Sequence, residues 1–114
     1  MRRVNKIMKH AYTIFQLDDE NIKVLREHKL FESWEFLNRR SEFDFKQYKK
    51  VYENEIEGET PAGILEDLFQ KFNLHHPKDF RGHSLSVSDV VILDDVKYYC
   101  DCYGWVNTET GEKL

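Results

Sequence analysis

The sequence predicts an α+β fold, a small and mainly antiparallel sheet with two helices packed on it. Three stretches carry that prediction. Val87 to Leu93 and Val96 to Tyr103 are rich in β-branched and aromatic residues and flank the Asp94-Asp95 pair, close to the shortest loop that reverses a strand. Tyr48 to Glu57 alternates with the two-residue period of an extended strand. Thr60 to Asn73 carries a cap, a first-turn proline and an apolar stripe at helical spacing.

In chain order, residues 1–11 read as a basic arm containing Arg2, Arg3, Lys6 and Lys9, and residues 12–114 as one domain. Tyr12 to Leu17 is a strand candidate ended by Asp18 and Asp19, and Glu20 to Phe31 reads as irregular. Ser33 reads as the cap of a short helix through Arg39 or Arg40, with Phe36, Leu37 and Arg40 on one face and Trp34 near its entry. In the strand that follows, Tyr48, Tyr52 and Ile56 fall on one face, with Val51, Glu53, Glu55 and Glu57 on the other.

Thr60 caps the best helix, Pro61 fills a position where its missing donor costs nothing, and Ile64, Leu65, Leu68, Phe69 and Phe72 form the stripe. This helix is expected to pack across the C-terminal hairpin, because both surfaces need covering. In the last strand Tyr98, Cys100 and Cys102 share one face, and Tyr99, Asp101 and Tyr103 the other, so one face can be core while the other stays available. Gly104 reads as a bulge or a close backbone approach before Trp105 and Val106 resume that strand.

Composition bounds the function. A chain of 114 residues with 40% apolar and 33% charged residues fits one ordinary folded domain. Its formal charge of -4 excludes the overall positive field of a general DNA binder. Two cysteines make no disulfide framework, and a reducing cytoplasm fits them best. The positive start lacks the continuous apolar run of a signal peptide, and no run approaches a membrane span, so neither secretion nor a membrane is expected.

Several residue groups are candidates for chemistry. His75, His76, His83, Cys100 and Cys102 are zinc-type ligands, but one residue between the cysteines is not the spacing of paired zinc ligands. On residue type alone, Ser84, His83 and Asp89, or Cys100 with a histidine and Asp101, assemble a triad, yet no nucleophile elbow or phosphate-cradling loop accompanies them. Ser84, Ser86, Ser88 and Asp89 are better suited to closing hydrogen bonds where loop becomes strand. No cofactor, metal or catalytic residue is therefore assigned.

The acidic row is a different kind of signal. Glu53, Glu55 and Glu57, extended by Glu59, project at intervals of roughly 7 Å. That resembles the roughly 7 Å separating every second phosphate of a duplex strand. Exposed strands are also commonly charged to block edge-to-edge aggregation.

The stretch His83 to Leu93, HSLSVSDVVIL, followed by Tyr98 to Val106, YYCDCYGWV, resembles the YodL-like domain. Further matching residues precede it in order: Phe31, Ser33, Glu35 and Leu37; Tyr48, Val51 and Tyr52; Leu65 to Phe69 with Phe72 to Leu74; His76-Pro77; and Asp79, Phe80, Gly82 and His83. The resemblance covers roughly Tyr12 to Val106. It implies a bacterial mobile element, where such domains often form one module of large proteins with helicase- or methylase-like parts, and it implies no catalytic residue. The hairpin turn here is shorter than is usual in the family, and the basic arm precedes the domain.

Together these readings predict a non-catalytic protein-binding module. Its sharper form is a counter-defence inhibitor, of anti-CRISPR or anti-restriction type, that blocks the nucleic-acid groove of a host nuclease through Glu53, Glu55, Glu57 and Glu59, with Asp94 and Asp95 as further partner-binding residues. One alternative is a nucleic-acid-binding accessory module using Arg2, Arg3, Lys6 and Lys9. The other is a small metal-dependent hydrolase.

Overall fold

A computed structural model describes residues 8–17, 34, 44–82, 84–102 and 104–114. Its elements are β1 (Met8–Leu17), a single 3-10 turn (Phe45–Gln47), β2 (Tyr48–Gly58), α1 (Pro61–Leu74), β3 (Val90–Leu93), β4 (Val96–Asp101) and β5 (Gly104–Asn107). The strands form one five-stranded sheet in the order β2-β1-β3-β4-β5. Every pairing is antiparallel.

This corrects the expected small sheet with two helices. The sheet dominates, and α1 is the one complete α-helix among the described residues. The helix expected from Ser33 and the segment Glu20 to Phe31 lie outside the described residues, apart from Trp34.

The hairpin at the centre of the prediction is present. Val90 to Leu93 pair with Tyr99 to Val96, leaving Asp94 and Asp95 as a two-residue loop. Both have positive φ, 49° and 69°, as a type I′ turn requires; Asp tolerates that region through its short polar side chain. The first strand starts later than its apolar run, because Val87 and Ser88 form a turn and Ser88 has φ 89°.

The end of the hairpin differs from expectation. The run Val96 to Tyr103 is not one strand continued past a bulge. β4 stops at Asp101, the chain reverses, and Gly104 pairs back with Asp101. Gly104, at φ 100°, is therefore the first residue of a returning strand. Trp105 and Val106 lie beside Cys100 and Tyr99, the residues they were expected to follow in line.

Strand alternation sorts the residues onto two faces. One face carries Tyr12, Ile14, Val91, Leu93, Tyr98, Cys100 and Trp105, and α1 lies across it with Ile64, Leu65, Leu68 and Phe72 buried. The helix starts as its sequence dictates: Thr60 Oγ1 accepts from Gly63 N at 3.1 Å and Pro61 occupies the first turn. Phe72 meets Phe80 edge-on at 4.8 Å and Tyr52 at 5.5 Å between ring centres. Burying a side chain of that size stabilises the fold by roughly 1.5–3 kcal/mol.

The other face is not simply available. Val90, Tyr99 and Val106 are buried there beneath Trp34, with Phe15, Phe45 and Tyr48 packed against them. Tyr98 and Tyr99 are 6% and 0% exposed, so β4 is buried on both sides. The open part of this face lies further along, around Ala11, Glu53, Glu55 and Glu57, all exposed.

One irregularity decides which way β2 points. Ile14 pairs with Tyr52 but Phe15 pairs with Lys50, which leaves Val51 as an extra residue. That bulge breaks the parity of the strand. Tyr48 consequently packs with Phe45 on the Trp34 side, whereas Tyr52 and Ile56 pack under α1. The single-face grouping of Tyr48, Tyr52 and Ile56 is thereby corrected.

No described helix is long and apolar enough to cross a membrane.

Candidate functional site

The predicted partner-binding residues are brought to one end of the sheet. Glu53, Glu55 and Glu57 are exposed on a single face of β2, which forms one edge of the sheet. Glu59 is also exposed but lies beyond the strand, one residue before the Thr60 cap. Tyr12 pairs with both Asn54 and Leu93, so the Asp94-Asp95 turn sits beside the Glu55 to Gly58 end of β2 with β1 between them. Two strand spacings, roughly 10 Å, separate the two backbones.

Cations are interleaved with the acids. Lys9 lies directly opposite Glu57 in the β1–β2 ladder, and Lys50 Nζ donates to Glu53 Oε1 at 3.2 Å. Glu55 faces Ala11 and Glu53 faces Thr13, so of the three strand glutamates only Glu57 has a cation directly opposite. Exposed pairs of this kind are worth little energetically. Lys9 is thus a strand residue beside the acidic row, while Arg2, Arg3 and Lys6 lie outside the described residues.

His10 ties this end together. Its Nδ1 is hydrogen-bonded to Asp94 Oδ2, and its Nε2 to the Gly58 carbonyl at 3.1 Å. Both partners are acceptors, so the ring satisfies both only as an imidazolium donating from each nitrogen. The Asp94 hydrogen bond accordingly raises the His10 pKa above its usual 6.5, against a smaller opposing effect of desolvation. Sequence alone gave no signal for this pair, since the two residues are 84 positions apart.

Among the described residues no group of three or more His, Cys, Asp and Glu side chains is placed to hold a metal ion. Cys100 is buried and Cys102 exposed, both as free thiols, and burial pushes the Cys100 thiol up to about 12, opposite to what a nucleophile needs. His75 caps the end of α1, His76 is exposed with Nδ1 3.0 Å from the Pro77 carbonyl, and His83 lies outside the described residues. Asp101 Oδ1 accepts from the Trp34 and Cys102 backbone N–H groups at 3.1 and 2.8 Å, holding Trp34 to the end of β4.

Asp89 is a second residue whose role its sequence position obscured. Its Oδ2 accepts from Ser86 N at 2.9 Å and from the buried Gln16 Nε2 at 3.1 Å, closing the turn that feeds β3. Burial raises its pKa to about 8 against these lowering hydrogen bonds. Tyr48 donates its hydroxyl to the Ser88 carbonyl in the same turn. The Ser86–Asp89 stretch therefore closes backbone hydrogen bonds at the loop-to-strand junction. Nearby, a crevice of about 560 Å³ is lined by Gln16, Lys49, Lys50, Val51, Arg81 and Gly82.

The described residues define a small α+β domain that exposes a row of glutamates on one edge strand of its sheet. The chain belongs to the YodL-like domain family, whose model matches residues 11–109. Comparison with curated proteins and with solved structures gives no match.

Proposed function

We propose that this chain is a non-catalytic protein-binding module of a mobile genetic element, working in the cytoplasm. Its sharper form is a counter-defence inhibitor that occupies the nucleic-acid groove of a host nuclease. The observation that supports this reading is the exposed row Glu53, Glu55 and Glu57 on one face of an edge strand. A rigid sheet holds these carboxylates at fixed spacing, and Glu55 stands at the centre with no cation opposite. Such a surface complements a groove lined by lysine and arginine, giving fast, salt-sensitive association.

The test is charge reversal. A partner captured with the intact chain is titrated against the parent and against Glu53→Lys/Glu55→Lys at two salt concentrations. The double variant is expected to bind more weakly, with its remaining affinity less sensitive to salt. Equal binding by the parent and the variant overturns the acidic-mimicry reading. In gel shifts the chain alone is expected to leave DNA unretarded, and salt-dependent retardation would transfer the function to nucleic-acid binding.

A further inference from the structure

The two edges of the sheet are finished differently. Beside β5 the chain's own tail folds back: Val106 bridges to Lys113, Asn107 N donates to the Glu112 carbonyl at 2.9 Å, and Leu114 N donates to the Trp105 carbonyl at 2.9 Å. At the opposite edge, β2 has β1 as its one neighbour among the described residues. Its longest regular stretch runs from the Val51 bulge to Gly58.

The hydrogen bonding of Asn54 indicates which backbone groups face outward. Glu55 N donates to Asn54 Oδ1 at 2.8 Å, a side-chain bond that turns this N–H away from the ladder with β1. Because antiparallel strands alternate, the outward N–H and C=O groups belong to Glu53, Glu55 and Glu57. The glutamate row and the outward-facing backbone row thus belong to the same residues.

We infer that β2 takes on a further strand from a partner, an extended segment with lysine or arginine at alternate positions. This rests on the protein-binding reading above and specifies its mode. The partner's backbone bonds to the outward groups of Glu53, Glu55 and Glu57 after displacing the Asn54 amide, while its cations lie over the glutamate face. A second copy of this chain is the wrong occupant, since antiparallel self-pairing about Asn54 or Glu55 sets glutamate against glutamate.

The probe is a capped synthetic peptide of about eight residues with Lys at alternate positions and Thr or Val between, long enough to span the stretch. It is titrated into the isotopically labelled full chain by NMR, beside a copy N-methylated on the amides that would face β2. Amide shifts concentrated at Glu53, Glu55 and Glu57, with the methylated copy at least about tenfold weaker, are the expected result. Glu55→Pro removes one outward donor and should weaken the parent peptide more than Glu55→Gln, which removes only charge.

Equal binding of the two peptides overturns strand addition while leaving an acidic protein-binding face intact. Absence of shifts anywhere on β2 overturns strand addition, and the charge-reversal titration then judges the protein-binding reading independently. Concentration-dependent dimerisation through β2 would replace the basic segment by a second copy.

Discussion

The His10 imidazole is held between the Asp94 carboxylate and the Gly58 carbonyl, which joins the hairpin turn to the far end of the edge strand. The ring is 20% exposed and Asp94 53%, so solvent screens the pair without abolishing its geometry. A histidine with a raised folded pKa contributes stability that is fully present below its unfolded value of about 6.5 and is lost as pH rises through the higher folded value. Thermal melts between pH 5.5 and 9 should therefore show the parent losing stability across this window, with His10→Gln losing less. Parallel curves for the two proteins would rule the linkage out.

Asp89 titrates in the same direction for a different reason. Burial stabilises its neutral form, so its contribution is fully present below about 4 and is lost as pH rises through about 8. Asp89→Asn preserves an oxygen for the Ser86 and Gln16 donors and should flatten stability between pH 6 and 9. Asp89→Ala removes the acceptor of both bonds and should cost about 2–4 kcal/mol in urea unfolding. A harmless alanine would show that the turn closes without this carboxyl.

The two cysteines should react unequally. Cys102 is exposed, whereas Cys100 is 3% exposed with its thiol pushed up to about 12. Brief treatment of the native chain with iodoacetamide near neutral pH should alkylate Cys102 alone, and denatured chain should be modified at both, as read by peptide mass spectrometry. Rapid native modification of Cys100 would contradict the packing under α1.

Tyr12 offers a test of the central core. It is 1% exposed, its hydroxyl has no hydrogen-bond partner among the described residues, and burial pushes its pKa up to about 12. Tyr12→Phe keeps the ring against Phe72 and Tyr52 while removing the unsatisfied group. The variant should be more stable by about 1 kcal/mol, seen as a higher urea midpoint with unchanged slope. A loss of that size would mean that the hydroxyl is satisfied in solution.

Much of this architecture was legible because it is encoded locally. Thr60-Pro61 and the apolar spacing that follows placed α1, and the Asp94-Asp95 pair between β-branched runs placed the hairpin. What was missed depends on partners distant in sequence. The reversal between Asp101 and Gly104 was hidden because aromatic and β-branched residues continue through it, so propensity alone cannot separate one long strand from two short ones. The burial of Tyr99 requires Trp34, and the enclosure of Asp89 requires Gln16, neither of which is adjacent in the chain. The glutamate row was legible as a surface pattern; the lysines that flank it and the outward turn of its backbone were not.

The supernumerary Val51 makes β2 a ribbon with a crossover stitch, anchoring Tyr48 in one hydrophobic cluster and Tyr52 in the other. Removing a single codon there would force a choice between the two anchors. Either the tyrosine ahead of the stitch is pulled from beneath Trp34, or everything beyond it inverts and the glutamates are driven inward against α1. Chain length at this point is consequently far less negotiable than residue identity, and a one-residue deletion should be more damaging than any conservative replacement of Val51 itself.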